Sequence, residues 1–391
     1  MGGYDNNKPS LSPANNSKTT DSVLNLEFGD PTMYGEYWRQ HGDKGTVVIS
    51  GCDSMSYFTD MGNLCWFLEP ELANSIKRLH CIVGNAVTED RHIVVGSGST
   101  QLYNALLYAF SSPDEPEPIS VVCAAPYYSA YADVTDCVRS GLYKWAGDAY
   151  TFEKDGPYIE VVTTPNNPDG SIREAVVNRS HGKVIHDLAY YWPQHTPITH
   201  PADYDNMLFT FSKTTGHAGS RIGWAFVKDK EVARKMIEFI MINSIGVSKE
   251  SQLRAAKIFE AVCDSCQNSG SENFFEYGQR LMGGRWEKLR QVLKNSEILS
   301  LPEYPLVYCN FSGKIMETKP AFAWLECNDS DCASFLMEHK IKGRGGRRFG
   351  VDSKYARFSL VGEEKEFDNF LERLSGIHGK KHHIKIHADR Q

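Results

Sequence analysis

Residues 209–224 read FTFSKTTGHAGSRIGW and place a lysine directly after a predicted buried strand. Hydroxyl groups flank Lys213 at Thr210 and Ser212, and Arg221 follows eight residues later. Loss of hydration at the end of a buried strand lowers the pKa of a lysine and makes its amine available for imine formation. Two hydroxyls and a bidentate guanidinium suit one phosphate group. Taken alone, Lys213 is better explained as a surface lysine, so the neighbouring segments decide between the two interpretations.

Three further polar segments also follow predicted strands. Residues 96–100 (GSGST) open a helix, whose free backbone N–H groups and dipole favour an anion. Residues 164–170 (TPNNPDG) are typical of a turn, and residues 187–190 (DLAY) place a carboxylate at a strand end. Each segment is weak evidence alone, and the first lacks the third glycine of a dinucleotide-binding fingerprint. Because α/β sheets bind ligands where their strands end, the four segments together predict one shared site.

Short β-branched runs alternate with helical segments from about residue 90 onward. This alternation predicts an α/β domain with a mostly parallel, buried sheet. The last two runs are joined by a loop too short for a helical crossover, so one of them is expected to be antiparallel. The predicted strands are residues 92–95, 119–124, 158–163, 183–187, 208–211 and 223–227, with a helix over 100–110.

The chain is predicted to form a large domain at residues 72–265 and a smaller α+β domain. The small domain combines residues 266–378 with the N-terminal segment 21–71. A disordered lead-in at 1–20 and a basic, His-rich tail at 379–391 complete the chain. Outside the large sheet, helices are predicted over 230–243, 249–263, 274–295, 330–339 and 364–375, and strands over 322–325 and 356–360.

The composition is that of a soluble globular protein, with 41% hydrophobic and 23% charged residues. Lysine and arginine number 42 against 49 acidic residues, and the net charge of −7 argues against a nucleic-acid surface. No apolar stretch approaches the roughly 18 to 20 residues that span a bilayer. The N-terminal residues lack the apolar core of a signal peptide. These features predict a cytoplasmic protein that binds neither nucleic acid nor membranes.

The ten cysteines are expected to be reduced thiols. Cys263 and Cys266 form a C-x-x-C pair, but the downstream pair Cys327 and Cys332 has the wrong spacing for a zinc ribbon. No metal site is therefore predicted.

The series Ser99, Thr100, Asn167, Asp187, Tyr190, Lys213 and Arg221 resembles the cofactor site of fold-type I pyridoxal-phosphate aminotransferases, over residues 22–378. Longer stretches resemble the plant tryptophan–pyruvate aminotransferases of auxin synthesis, in an alliinase-like branch. These are residues 25–38 (NLEFGDPTMYGEYW), 63–70 (NLCWFLEP), 141–148 (GLYKWAGD), 184–193 (VIHDLAYYWP) and 209–224. The resemblance implies a fold-type I PLP-dependent transferase fold and pyridoxal 5'-phosphate (PLP) as cofactor.

The resemblance also implies a role for each residue of the site. Lys213 binds PLP as a Schiff base and moves a proton between the substrate Cα and the cofactor C4'. Asp187 pairs with the pyridine nitrogen, and Asn167 and Tyr190 bind the 3'-oxygen. Tyr128 stacks on the ring, an ordinary core aromatic being the alternative. The phosphate is held by Ser99, Thr100, Thr210, Ser212 and Arg221, and by Tyr57 donated across the interface of a homodimer.

On the substrate side, Arg357 is expected to clamp the α-carboxylate with its planar guanidinium. The alternative is a solvated arginine on an edge strand. The resemblance places Gly29, within residues 28–32 (FGDPT), in an aromatic side-chain pocket together with Trp66 and Phe67. Residues 343–348 (GRGGRR) are expected to be a mobile loop near the entrance. No second arginine is evident for a dicarboxylic substrate, which disfavours aspartate and glutamate as donors.

The expected substrates are an amino acid and a 2-oxo acid, with L-tryptophan and pyruvate giving indole-3-pyruvate and L-alanine. One alternative is another aromatic or neutral amino-acid donor. A second is an alliinase-like carbon–sulfur lyase, but such lyases carry a signal peptide and a cysteine-dense segment that this sequence lacks. A third is a degenerate, non-catalytic binding protein, which the chemically competent cofactor positions disfavour.

Overall fold

The computed structural model describes residues 22–268, 270–328 and 331–379. The predicted lead-in at residues 1–20 and residues 380–391 of the predicted tail lie outside these ranges. Within them, no helix has the length and apolar character needed to cross a membrane. The same residues contain no group of His, Cys, Asp and Glu side chains that could hold a metal ion.

Fifteen strands and eleven α-helices form the described chain. The strands are β1 (Leu24–Asn25), β2 (His92–Gly96), β3 (Ile119–Cys123), β4 (Tyr143–Asp148), β5 (Tyr158–Thr163), β6 (Gly182–Asp187), β7 (Asn206–Thr210), β8 (Gly223–Val227), β9 (Leu299–Ser300), β10 (Val307–Cys309), β11 (Lys314–Met316), β12 (Phe322–Cys327), β13 (Ile341–Lys342), β14 (Arg344–Gly345) and β15 (Tyr355–Ser359). The helices are α1 (Gly35–Gln40), α2 (Gly42–Gly45), α3 (Pro70–Val83), α4 (Ser99–Phe110), α5 (Tyr131–Cys137), α6 (Phe211–Thr214), α7 (Lys230–Ser244), α8 (Lys249–Gln267), α9 (Phe274–Leu293), α10 (Cys332–Glu338) and α11 (Glu364–Ser375).

The large sheet has seven strands in the order β2-β8-β7-β6-β5-β3-β4. Strand β8 is antiparallel to both of its neighbours, and every other pairing in the sheet is parallel. This arrangement confirms the predicted mixed, mostly parallel sheet and its one antiparallel strand. All residues of β3, β5, β7 and β8 are buried, as expected for strands covered on both faces.

The smaller sheet is antiparallel, with the strand order β14-β15-β12-β9. Its strands fall within the residues predicted for the small domain. Helix α9 begins with a capping box, in which Asn273 and Glu276 each bind the other's backbone N–H. Helix α11 presents Phe367, Phe370 and Leu374 to the core on one face. The boundary between the two domains stays a prediction.

Several elements differ from the sequence-based expectation. Strand β4 and helix α5 were not predicted, because β4 lies at the sheet edge with a half-exposed, polar sequence. Strand β7 begins two residues earlier than predicted and ends at Thr210, where the chain turns into α6. That turn decides where Lys213 points.

Cys327 and Cys332 form a disulfide, so the expectation that all ten cysteines are free thiols is wrong for this pair. Cys327 ends β12 and Cys332 begins α10, and the short connection brings their Cα atoms to 5.2 Å. This separation lies within the range of disulfide-bonded cysteines. Cys263 and Cys266 are free, as expected.

Candidate active site

The four polar segments meet at the carboxyl ends of the large-sheet strands, around a cavity of about 270 Å³. All the predicted cofactor and substrate residues except Tyr57, Trp66 and Phe67 line this cavity. They are Gly29, Ser99, Thr100, Tyr128, Asn167, Asp187, Tyr190, Thr210, Ser212, Lys213, Arg221 and Arg357. The segments are far apart in sequence, and the parallel strands bring them together because their ends share one edge of the sheet.

One end of the cavity is built for an anion. Helix α4 begins directly after Gly98 without a side-chain cap, so its first backbone N–H groups remain available. Gly98 has a φ of 86°, and a Cβ there would lie 2.6 Å from Nη2 of Arg221. Only glycine therefore lets the guanidinium pack against the start of the helix. Arg221 donates through Nη1 to the carbonyl of Ala218, at 3.1 Å, and lines the cavity beside Ser99.

Helix α6 is a single turn that carries Lys213 into the cavity. The hydroxyl of Thr210 caps this turn by accepting from the backbone N–H of Ser212, at 3.3 Å. That bond uses an oxygen lone pair and leaves the hydroxyl proton of Thr210 free to donate to a phosphate. Gln194 fixes the turn from behind, because its side-chain amide donates to the carbonyls of Lys213 and Thr214 at 3.2 and 2.9 Å.

The amine of Lys213 lies among positive charges. Its Nζ donates to the carbonyl oxygen of Gly29 and lies 5.8 Å from the ring centroid of Tyr190. Burial lowers the pKa of Lys213 to about 8, and the charges of Arg357 and Arg221 act in the same direction. Asp30 opposes this shift. A substantial fraction of the amine is therefore neutral and nucleophilic near physiological pH.

Asp187 lies at the other end of the cavity. Its Oδ2 accepts from the hydroxyl of Tyr131 at 2.6 Å, and its Oδ1 accepts from the backbone N–H of Ala189 at 3.1 Å. Burial raises the pKa of Asp187, although the two hydrogen bonds favour the charged form. Within the described residues it has no ion-pair partner, so a protonated nitrogen on a ligand would satisfy it. The sequence did not single out Tyr131, which orients this carboxylate from the motif that also carries Tyr128.

Arg357 is almost fully buried, with 2% of its surface exposed. Its Nη1 donates to Oδ1 of Asn167 at 2.8 Å, and its Nη2 donates to the carbonyl of Glu27 at 2.6 Å. The guanidinium carbon lies 4.0 Å from the ring centroid of Phe322. Its Nε has no partner and is buried. The bond to Asn167 leaves the amide N–H groups of that residue free for a ligand, and Arg357 is held in place rather than solvated on an edge strand.

A second arginine, which sequence analysis did not identify, also lines the cavity. Arg344 pairs in register with Arg357 on the neighbouring strand, so both side chains reach the same region. Its Nη1 donates to the hydroxyl of Ser129 at 2.8 Å, and its guanidinium lies 6.0 Å from the ring of Phe28. Residues 343–348 therefore include part of a strand, β14, and are not the expected loop. Arg344 could not be assigned to the site from the sequence, because its position depends on the pairing of β14 with β15 and no sequence motif indicates that pairing.

Three predicted residues lie outside the cavity. The side chain of Tyr57 is 59% exposed. Trp66 packs against Phe58 and Phe67, and Phe67 is buried in the hydrophobic core. The expectation that Trp66 and Phe67 line a substrate pocket is not met within one chain. The assignment of Tyr57 to a partner subunit stays a prediction.

The residues of the cavity fit PLP. The helix N-terminus, four flanking hydroxyls and Arg221 suit its phosphate, and the absence of a side chain at Gly98 leaves room for Arg221 beside the start of the helix. Asp187 suits the pyridine nitrogen, and Lys213 suits the aldehyde carbon. Asn167 and Tyr190 line the wall between these two residues. Arg357 remains for a substrate carboxylate.

Comparison with known proteins agrees with this geometry. A family model described as allinase matches residues 24–378. The chain is 56% identical to tryptophan aminotransferase-related protein 2 of Arabidopsis thaliana over 91% of its own length and 81% of that protein. It is 53% identical to tryptophan aminotransferase-related protein 2 of Oryza sativa subsp. japonica, over 92% and 74%. It is also 36% identical to alliin lyase 1 of Allium sativum, over 93% and 79%.

Solved structures show the same fold at low sequence identity. An aspartate aminotransferase from Rhizobium meliloti aligns with a TM-score of 0.65 and 17% identity, over 91% of each chain. A methionine aminotransferase from Escherichia coli aligns with a TM-score of 0.63 and 15% identity, over 90% of this chain and 94% of the other. These similarities establish the fold-type I architecture.

The lowered pKa of Lys213 predicts the pH at which its amine becomes reactive. In cofactor-free protein, acetylation of Lys213 should rise with a midpoint near pH 8 and level off above it, because the neutral amine is the nucleophile. Peptide mass spectrometry at a series of pH values measures this, with the exposed Lys228 as an internal reference. A midpoint near the ordinary lysine value of about 10.4 would contradict the described environment of the amine.

Proposed function

The chain belongs to the allinase family, a branch of the fold-type I PLP-dependent enzymes, and we propose that it transfers the amino group of L-tryptophan to pyruvate. The products would be indole-3-pyruvate and L-alanine. An aminotransferase-like, PLP-dependent activity follows from the family and the fold. The choice of substrates is the proposed part. The observation that supports it is the 56% identity to a protein named for tryptophan aminotransfer, compared with 36% identity to the alliin lyase.

The residues of the cavity can divide the reaction between them. When bound, PLP supplies an electron-withdrawing ring that stabilises negative charge developing at the substrate Cα. Asp187 holds a proton at the pyridine nitrogen, which strengthens that withdrawal. Nζ of Lys213, with its pKa lowered by burial to about 8, would take the proton from the substrate Cα and deliver it to C4' of the cofactor. The residues of the anion site hold the phosphate in place throughout.

The substrate would be positioned by its carboxylate and its side chain. Arg357 is pre-oriented by Asn167 and Glu27, so it binds a carboxylate at little cost in side-chain entropy. Phe28 and Phe322 offer apolar ring surfaces at the same end of the cavity. Phe28 is 65% exposed and lies beside Arg344, whose planar guanidinium can stack on an indole ring. These contacts favour an aromatic donor.

The relatives named for tryptophan aminotransfer come from Arabidopsis and rice. The plant origin of these relatives supports the proposal that the reaction belongs to auxin (indole-3-acetate) biosynthesis in a plant. We further propose that the protein acts in the cytoplasm. Cell fractionation of the source tissue tests the location, and recovery of the protein only in a membrane or secreted fraction would contradict it.

A second candidate function is carbon–sulfur lysis, which the allinase family model and the alliin lyase relatives favour. Lysis and transamination begin with loss of the same Cα proton, so the cofactor residues serve both. They differ in what the substrate carries at Cβ. The substrate end of the cavity, and not Lys213 or Asp187, would decide between them.

A paired assay separates the two functions. The purified holoenzyme should form alanine from tryptophan and pyruvate, measured by chromatography, because the aromatic end of the cavity accepts the indole. In a parallel reaction with an S-alkyl cysteine sulfoxide, little pyruvate should be released. Arg357→Lys should lower kcat/KM in the first assay by about 10- to 100-fold, because a lysine cannot form two parallel hydrogen bonds to a carboxylate.

Arg234→Lys serves as the matched control, because Arg234 is an exposed arginine that pairs with Glu231 on α7 and does not line the cavity. Pyruvate release from the sulfoxide without alanine formation in the first reaction would overturn the proposed ranking.

We further propose a homodimer in which Tyr57 reaches the phosphate site of the partner subunit. Its exposure, and its absence from the cavity of its own chain, support this role. Tyr57→Ala should weaken cofactor binding by about 10-fold or more, since a hydrogen bond to a charged group is lost. When Tyr57→Ala and Lys213→Ala chains are co-refolded, about a quarter of the wild-type activity should return, because each mixed dimer rebuilds one complete site. Activity no higher than that of the Tyr57→Ala chains alone would show that Tyr57 acts within its own chain, and an unimpaired Tyr57→Ala protein would show that Tyr57 does not contribute to the site.

A further inference from the structure

A second chamber, of about 510 Å³, lies behind the candidate active site. Its volume lies within the roughly 300–1,000 Å³ typical of small-molecule sites. One wall comes from the segments that follow β5 and β6, and the opposite wall comes from residues 302–307 and Thr318. None of the predicted cofactor or substrate residues lines it. The chamber is therefore distinct from the predicted cofactor and substrate site.

The chamber and the active site share their walls. After β5, Thr163 lines the active site and the next residue, Thr164, lines the chamber. After β6, Asp187 and Ala189 line the active site, and Leu188 between them lines the chamber. Alternate residues of an extended segment point to opposite sides. One layer of backbone therefore separates the two spaces.

The turn that carries Asn167 forms a further shared wall. Asn167 lines the active site and accepts the hydrogen bond of Arg357, whereas Gly170 lines the chamber. A Cβ at Gly170 would lie 2.1 Å from Cγ of Pro320, and its φ of 71° also favours glycine. The turn is thus closely packed against Pro320, and little space is left for Gly170 to shift on its own. A displacement of the turn would also displace Asn167, which positions Arg357.

The interior of the chamber is aromatic. Tyr191, Tyr204 and Tyr304 line it, and each hydroxyl already donates to a carbonyl or a carboxylate of the protein at 2.8 to 3.0 Å. The hydroxyls therefore have no proton left to donate to a ligand. A ligand in the chamber can therefore contact the faces of the three tyrosine rings and the side chains of Leu188 and Val307. This lining suits an apolar or aromatic body.

The charge of the chamber is negative. Glu174 and Glu303 are exposed members of its lining, and no lysine or arginine lines it among the residues that the structure describes. The lining also includes Asp169, which is paired with Arg173, and His200, whose Nδ1 lies 2.9 Å from the hydroxyl of Thr199. A ligand carboxylate would be repelled here. An organic cation would be attracted by the two carboxylates and by the faces of the tyrosine rings. The active site has the opposite character, because Lys213, Arg221, Arg344 and Arg357 line it.

We propose that this chamber is a binding site for a small aromatic ammonium ion, whose occupancy changes substrate binding through the shared walls. The aromatic body lies against Tyr191, Tyr204 and Tyr304, and the cationic head lies toward Glu174 and Glu303. The proposal requires neither tryptophan nor pyruvate as the substrate of the active site.

The test is calorimetric titration of the holoenzyme with benzyltrimethylammonium. This probe carries a permanent positive charge, cannot form an imine with the cofactor and is repelled by the cations of the active site. One equivalent should bind per chain. Glu303→Lys should raise its Kd by at least about threefold through reversal of a nearby charge. The matched control Glu153→Lys reverses an exposed glutamate outside the lining and should leave the Kd unchanged.

A second titration measures the coupling between the two sites. A saturating concentration of the probe should change the Kd of the holoenzyme for 3-phenylpropionate, a carboxylate without an amino group that suits Arg357, by about fivefold or more, and 3-phenylpropionate should change the Kd of the probe by the same factor. A probe Kd above about 10 mM would overturn the site, as would equal effects of the two glutamate substitutions. Probe binding that leaves the affinity for 3-phenylpropionate unchanged would overturn the coupling.

Discussion

Four cationic side chains, Lys213, Arg221, Arg344 and Arg357, line the same small cavity, and their mutual repulsion has to be compensated by anions. The repulsion contributes to the lowered pKa of Lys213, which burial lowers to about 8 with help from Arg357 and Arg221. A phosphate at the start of α4 and a carboxylate at Arg357 would each neutralise part of this charge. Asp187, the carboxylate at the other end of the cavity, has no cationic partner in the described chain. It therefore suits the protonated nitrogen of a zwitterionic pyridine ring. The cavity is thus complementary to one kind of ligand, a phosphorylated pyridine together with an amino acid.

The large sheet is what makes this concentration of charge possible. Its parallel strands end at one edge, so four segments distant in sequence deliver their polar residues to one place. Strand β8 runs against its neighbours and returns the chain beside β2, which brings Arg221 to the start of α4. Close approach there depends on Gly98 and on Gly223, where a Cβ would lie 2.6 Å from the backbone nitrogen of Ser99. The same backbone layer also forms the wall of the acidic chamber, so two sites of opposite charge lie back to back.

Much of this arrangement was accessible from the sequence. Buried strands of β-branched residues predicted β2, β3, β5, β6 and β8, and the polar residues after them predicted the lining of the cavity. What the sequence did not reveal depends on tertiary pairing. Arg344 becomes part of the site only because β14 pairs with β15, and Tyr131 matters only because α5 brings it to Asp187. The disulfide between Cys327 and Cys332 likewise depends on the path of the chain between β12 and α10.

The substrate specificity of the site is determined by fewer residues than the chemical reaction is. Lys213, Asp187 and the anion site serve any reaction that begins at the substrate Cα. Phe28, Phe322 and Arg344 are the residues on which a choice among amino acids depends. Arg344 also adds a second guanidinium beside Arg357, so a dicarboxylic 2-oxo acid is less disfavoured than the sequence alone suggested.

The central claim is that Lys213 is the residue that holds PLP, and one measurement tests it directly. The holoenzyme is reduced with borohydride, which makes the link between the cofactor and its lysine permanent, and is then digested for peptide mass spectrometry. The account predicts a single modified peptide that contains Lys213, and no modification in the Lys213→Ala protein treated in the same way. A stable cofactor adduct on any other lysine, or equal modification of the Lys213→Ala protein, would contradict it.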